Sequence, residues 1–179
     1  MDKELTLKKL NSTFSPRGKQ DAPNSYAHPY ETQILIGTIE ILNQTEIGQM
    51  LVNFKGENEI RVRIMPDKME TGYIPSGKVA YVTAPVTQKH TTPRIVLNLV
   101  RALREAQQES MGYKRPKTNL PEQEFLDKGW EKEEDILFVM CSVAYELHKK
   151  TGLSDMIKEM NIMGFENTIS GFIEDIETQ

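Results

Sequence analysis

The chain has 179 residues, with 22 Lys or Arg against 26 Asp or Glu, for a formal net charge of −4. Apolar residues make up 38% and charged residues 27%, an ordinary composition for a soluble chain long enough to bury one core. No stretch approaches the roughly 20 apolar residues that cross a bilayer, the start Met1-Asp2-Lys3-Glu4-Leu5 lacks a signal-peptide pattern, and a lone Cys141 precludes an internal disulfide. The expectation is a cytoplasmic protein with no membrane contact.

The charge is unevenly spread. Residues 1–30 carry five basic and three acidic groups, residues 31–119 twelve and nine, and residues 120–179 five and fourteen. A mildly basic body is therefore joined to a −9 segment. The plain reading of that segment is a solvated helical surface. The sharper one is an acidic face that holds a protein partner or pairs with the basic end of another copy. The basic cluster Lys114-Arg115-Pro116-Lys117 is loop-sized, and no basic tract points to nucleic acid.

In chain order, Leu5, Leu7 and Leu10 precede a stretch rich in Ser, Asn, Pro and Gln. Residues 1–30 read as an extended or disordered arm, and residues 31–179 as a single domain. Residues 31–43 carry Ile34, Leu35, Ile36, Ile39, Ile41 and Leu42 at mainly helical spacing, with a strand as the alternative. Thr45 suits an N-cap, with Glu46 beside the positive helix end. Ile47, Met50, Leu51 and Phe54 then predict one buried helical stripe that stops at Lys55-Gly56.

Residues 60–65, Ile-Arg-Val-Arg-Ile-Met, alternate with period two and predict a strand with one buried face. Val79-Ala80-Tyr81-Val82 reads as a second strand, joined to the first as an antiparallel hairpin with a broad loop holding Tyr73. Thr92 and Pro93 suit the cap and first position of the next helix, whose stripe is Ile95, Val96, Leu99, Ala102, Leu103 and Ala106, ending near Met111-Gly112.

Residues 113–130 read as a long polar connection with Pro116 and Pro121. A helix from Glu133 to Lys150 follows, with Glu133, Glu134 and Asp135 at its positive end and Ile136, Val139, Met140, Val143 and Leu147 as its stripe. Gly152 stops it, Ser154 caps a short helix through Met163, and Phe165 to Ile176 form the last amphipathic segment. The order is that of an α+β domain, mainly helical with a small antiparallel hairpin or sheet.

The segment Thr92 to Gln108 resembles the active-site helix of small bacterial zincin-like, metallopeptidase-like proteins, in which the helix reads roughly Leu-Ala-His-Glu-Leu-Arg-His-Ala-x-Gln. The helix at Thr45-Glu46-Ile47-Gly48, the strand Val79 to Val82, and the later helix through Glu134 to Phe138 and Val143 to Leu147 resemble that family's neighbouring elements, over about residues 32–150. Zinc hydrolysis needs two imidazoles one helical turn apart and a Glu that takes a proton from bound water. The resemblance puts Arg101 at the first imidazole position, Ala102 at the base and Glu105 at the second imidazole, while Leu103, Arg104, Ala106 and Gln108 keep the supporting pattern. A guanidinium has no lone pair to coordinate a cation. The resemblance thus implies a zincin-like scaffold without its metal site or cofactor, leaning away from an enzyme. Arg101 and Glu105, spaced i, i+4, are expected to pair where the metal would sit, or to be an ordinary surface pair. The remnant cleft would involve Arg101, Arg104, Glu105 and Tyr73.

Other chemistry is sparse. His28 falls in the arm, His90 in a loop and His148 at a helix edge; a metal site of His90, His148 and Glu105 is the one alternative for a hydrolase, although none of the pairs has ligand spacing. Cys141 reads as a buried, inert thiol. There is no G-x-G-x-x-G, no phosphate-binding G-x-x-x-x-G-K and no G-x-S-x-G. Met156, Met160 and Met163 read as core filling or an adaptable partner groove. Phe125 and Trp130 in the long connection, and Tyr26 and Tyr30 in the arm, either tuck onto the body or anchor a partner.

Overall fold

Two helices begin the described chain, α1 (Glu31–Leu42) and α2 (Glu46–Glu57). The computed structural model describes residues 31–65, 70–85, 87–113 and 121–178. The expected arm with Tyr26, His28 and Tyr30, and the basic cluster 114–117, lie outside these residues. Thr45 caps α2 as its sequence predicts: its hydroxyl accepts the Gly48 N–H at 3.0 Å. A Cβ on Gly48 would sit 2.2 Å from the Leu42 carbonyl, so only glycine fits this corner. The expected stop at Lys55-Gly56 is overturned. The helix runs on to Glu57, and Glu59 rather than Gly56 takes the left-handed conformation, with φ 56°. The buried face also differs from the expected stripe: Leu51 and Lys55 are buried, while Met50 is exposed.

Strands β1 (Arg61–Met65), β2 (Gly72–Ile74) and β3 (Val79–Thr83) form one sheet in the order β1-β3-β2. The period-two reading of β1 holds, with Ile60, Val62 and Ile64 buried. The antiparallel hairpin does not. β1 runs parallel to β3, with Arg63 opposite Tyr81, and the antiparallel partner of β3 is β2. The physical reason lies in the connection. Between β1 and β3 the chain forms β2, which pairs on the far side of β3 and then turns tightly through Pro75–Gly77 into it. Tyr73, expected in a loop, is the middle residue of β2.

Thr92 and Pro93 start α3 (Pro93–Ser110), with the Thr92 hydroxyl accepting the Ile95 N–H. Its apolar residues are buried almost all round at first, because the sheet packs on one side and α4 on the other. Gly112, at φ 91°, ends it.

The polar connection is shorter than expected. α4 begins at Glu122, directly after Pro121, and runs to Thr151. Thirty residues make a rod of about 45 Å. Gln123, Leu126, Asp127 and Trp130 in its first turns are exposed, and a sequence without a buried apolar stripe looks like a loop. The predicted stripe from Ile136 to Leu147 is buried, with Cys141 and Ala144 beside it. Gly152, at φ 70°, stops the helix. Short helices α5 (Asp155–Ile162) and α6 (Glu166–Glu177) close the chain, separated by Gly164 at φ 88°. Ser154 holds the cap position of α5 without a side-chain bond. Met156 and Met160 are buried, and Met163 packs against the core.

The result is mainly helical with a small mixed sheet, an α+β arrangement. Among the described residues no helix is long and apolar enough to cross a membrane.

Candidate functional site

α3 presents two polar faces to its neighbours. Arg101, Arg104 and Gln108 meet α4. Arg101 forms a two-bonded fork with Glu133, Nη1 to Oε1 at 2.6 Å and Nη2 to Oε2 at 2.7 Å. Arg104 makes the same fork with Asp135, Nε to Oδ2 at 2.7 Å and Nη2 to Oδ1 at 2.6 Å. Planar guanidinium and planar carboxylate match in this geometry, so each pair fixes orientation as well as charge. Gln108 Nε2 donates to the Lys132 carbonyl at 2.9 Å and to Asp135 Oδ2. The Arg104 hydrogen bond holds the Asp135 carboxyl below its ordinary value, against the opposing effect of burial.

Two expectations change here. Arg101 and Glu105 do not pair with each other, because α4 offers Arg101 a carboxylate in ideal fork geometry across the helix interface. Glu133, Glu134 and Asp135 are not at a helix start either. α4 begins at Glu122, and Glu133 and Asp135 instead answer the arginines of α3.

Glu105 turns the other way, to the sheet edge. Its Oε2 accepts the Tyr73 N–H at 2.9 Å. That N–H points away from β3, so Glu105 caps the outward donor of the edge strand. The carboxylate comes so close that a Cβ on Gly72 would lie 3.0 Å from Oε2. Beside this contact lies a shallow groove of about 350 Å³, lined by Tyr73, Ile74, Pro75, Glu105, Glu109 and Lys132. Burial and the nearby Glu109 carboxylate push the Tyr73 phenol above its ordinary value. Of the four cleft candidates, Tyr73 and Glu105 therefore meet at the groove, while Arg101 and Arg104 are occupied against α4.

The remaining candidates scatter. His90 is exposed, with its carbonyl accepting the Gln88 amide. His148 is half-buried, its Nδ1 3.4 Å from the Leu153 carbonyl oxygen. Among the described residues no three His, Cys, Asp or Glu side chains meet as a metal-holding group, and the set His90, His148 and Glu105 is not assembled. Cys141 is buried and its thiol is pushed up to about 11 by burial. Trp130 stands exposed on the first turns of α4; the side chain of Phe125 lies outside the described residues.

Glu109, Lys132 and Ile74 were not singled out from the sequence. The i, i+4 spacing of Glu105 and Glu109 was the available signal. A strand of three residues is too short to show a period, so its edge and groove were not visible. No family model, no curated protein and no solved structure matches the chain.

Proposed function

We propose that the chain is a non-catalytic binding or structural protein on a zincin-like scaffold, using its cleft to hold a protein partner. The carrying observation is the occupation of the two former imidazole positions. Arg101 is committed to Glu133 in a fork, and Glu105 to the Tyr73 N–H. Ala102, at the position of the base, is buried in the core and has no proton-accepting group. The polar groups of α3 thus serve to hold neighbouring elements, which suits a scaffold that presents a surface. No observation favours the hydrolase reading built on His90 and His148 over this one.

Elemental analysis of the full chain, purified without chelator, tests the reading together with a peptidase assay on a mixed peptide pool. The expected result is far less than one zinc per chain and no cleavage. Stoichiometric zinc that is lost in His90→Ala or His148→Ala, with cleavage lost alongside it, would overturn the proposal.

A further inference from the structure

We infer that the groove between β2 and the α3–α4 helices receives a basic side chain from an extended segment of a partner protein, with Glu109 as its anchor. This rests on the reading of the cleft as a binding site and names the chemistry of what it binds. β2 is an edge strand of the sheet. β2 could offer an incoming strand only the outward groups of Tyr73, and Glu105 already occupies the N–H. Addition of a full strand is therefore blocked. Recognition must then come from a side chain entering the groove.

The lining selects which one. Glu109 has no ion-pair partner among the described residues, and Glu105 has one carboxylate oxygen, Oε1, outside its bond to Tyr73. Ile74, Pro75 and the Tyr73 ring supply apolar wall. Arg and Lys combine an apolar stem with a charged head, which fits walls of this kind with a carboxylate beyond them. A guanidinium can also lie against the tyrosine ring. Lys132, which lines the same groove, repels the incoming cation and sets a limit on affinity.

The test uses the isotope-labelled full chain and a capped tripeptide, valine–arginine–valine, followed by amide chemical shifts. A second tripeptide carries glutamate in place of arginine. The arginine peptide is expected to shift the signals of Ile74 and Glu109 saturably, with a Kd on the order of 1 mM that weakens as salt rises. Glu109→Gln should weaken binding about threefold or more, and Lys132→Ala should tighten it by a similar factor. The opposite signs of the two variants guard against a simple loss of folding. Absence of saturable shifts, equal binding of the glutamate peptide, or unchanged affinity in both variants would overturn the inference. The peptide is recovered and weighed by mass spectrometry. Cleavage would overturn the non-catalytic reading, whereas failure to bind without cleavage would overturn only the assignment of the groove.

Discussion

On the β1 edge of the sheet, Glu31 of α1 accepts the outward Ile64 N–H at 3.1 Å; on the β2 edge, Glu105 of α3 accepts the outward Tyr73 N–H at 2.9 Å. A helix glutamate closes each edge against pairing with another chain. The surroundings differ. Glu31 is only 8% exposed and has its counter-ion, Arg63, 3.3 Å away. Glu105 opens onto a groove where Glu109 has no ion-pair partner among the described residues. The same bond seals one edge of the sheet and borders an open groove at the other. What separates the two is whether the capping carboxylate is covered and neutralised.

Breaking the sealed edge should cost most. Glu31→Ala leaves the buried Ile64 N–H without its acceptor and is expected to lose about 2 kcal/mol in denaturant unfolding. Glu31→Gln, which keeps an acceptor, should lose less than half of that. Comparable losses from both variants would show that charge rather than the cap matters there.

Next comes the frame that holds α3 between the two edges. Arg104→Ala removes the fork to Asp135 and the bond to Gln107 and should cost about 1–2 kcal/mol, discounted for the partial exposure of the pair. The pH dependence has a definite sign. Asp135 has a depressed folded pKa, so its contribution is present above the ordinary carboxylate value of 3.8 and is lost as pH falls below it. In Arg104→Ala that acid limb should flatten, as read from thermal unfolding across pH 2–5.

The third effect has the opposite sign. Lys55, 6% exposed, lies on α2 just before the chain enters β1, and burial lowers its pKa. Because the folded state disfavours the charged form, the cost is full below the folded pKa and disappears as pH rises to 10.5. Lys55→Met is expected to stabilise by about 1 kcal/mol at neutral pH, with the advantage shrinking in alkali. A constant difference up to pH 11 would contradict this account.

Smallest is Gly72→Ala on the open edge. The new methyl meets Glu105 Oε2 at 3.0 Å, and a flexible carboxylate can move aside. Stability should change by less than about 1 kcal/mol, while the Tyr73 amide should lose protection from hydrogen exchange.

Much of the secondary structure was legible because its signals are local. Thr45 and Thr92 cap helices with their own hydroxyls, Gly112, Gly152 and Gly164 take left-handed conformations, and Ile60, Val62 and Ile64 alternate. The first turns of α4 read as a loop because their described side chains are mostly exposed, so the pattern that betrays a buried helix is missing. Strand direction was misread because alternation reports which face is buried and is silent on which neighbour lies alongside. At the site, α3 and its caps were legible, and the partners of its charges were not. Spacing along one helix suggested Arg101 with Glu105, whereas each found a better partner on another element.

The sequence by itself determined the capped starts of α2 and α3, the glycine stops after α3, α4 and α5, the apolar face of β1, and that imidazoles are absent from the Arg101 and Glu105 positions, since these depend on residue type and on neighbours within a turn or two. Only the tertiary structure decided that β1 and β3 run parallel, that Arg101 and Arg104 lock onto α4, and that Glu105 stands guard over Tyr73 beside a groove. The side-chain pairings join residues 31 or 32 positions apart, and a carboxylate takes whichever donor the packed elements bring within 3 Å.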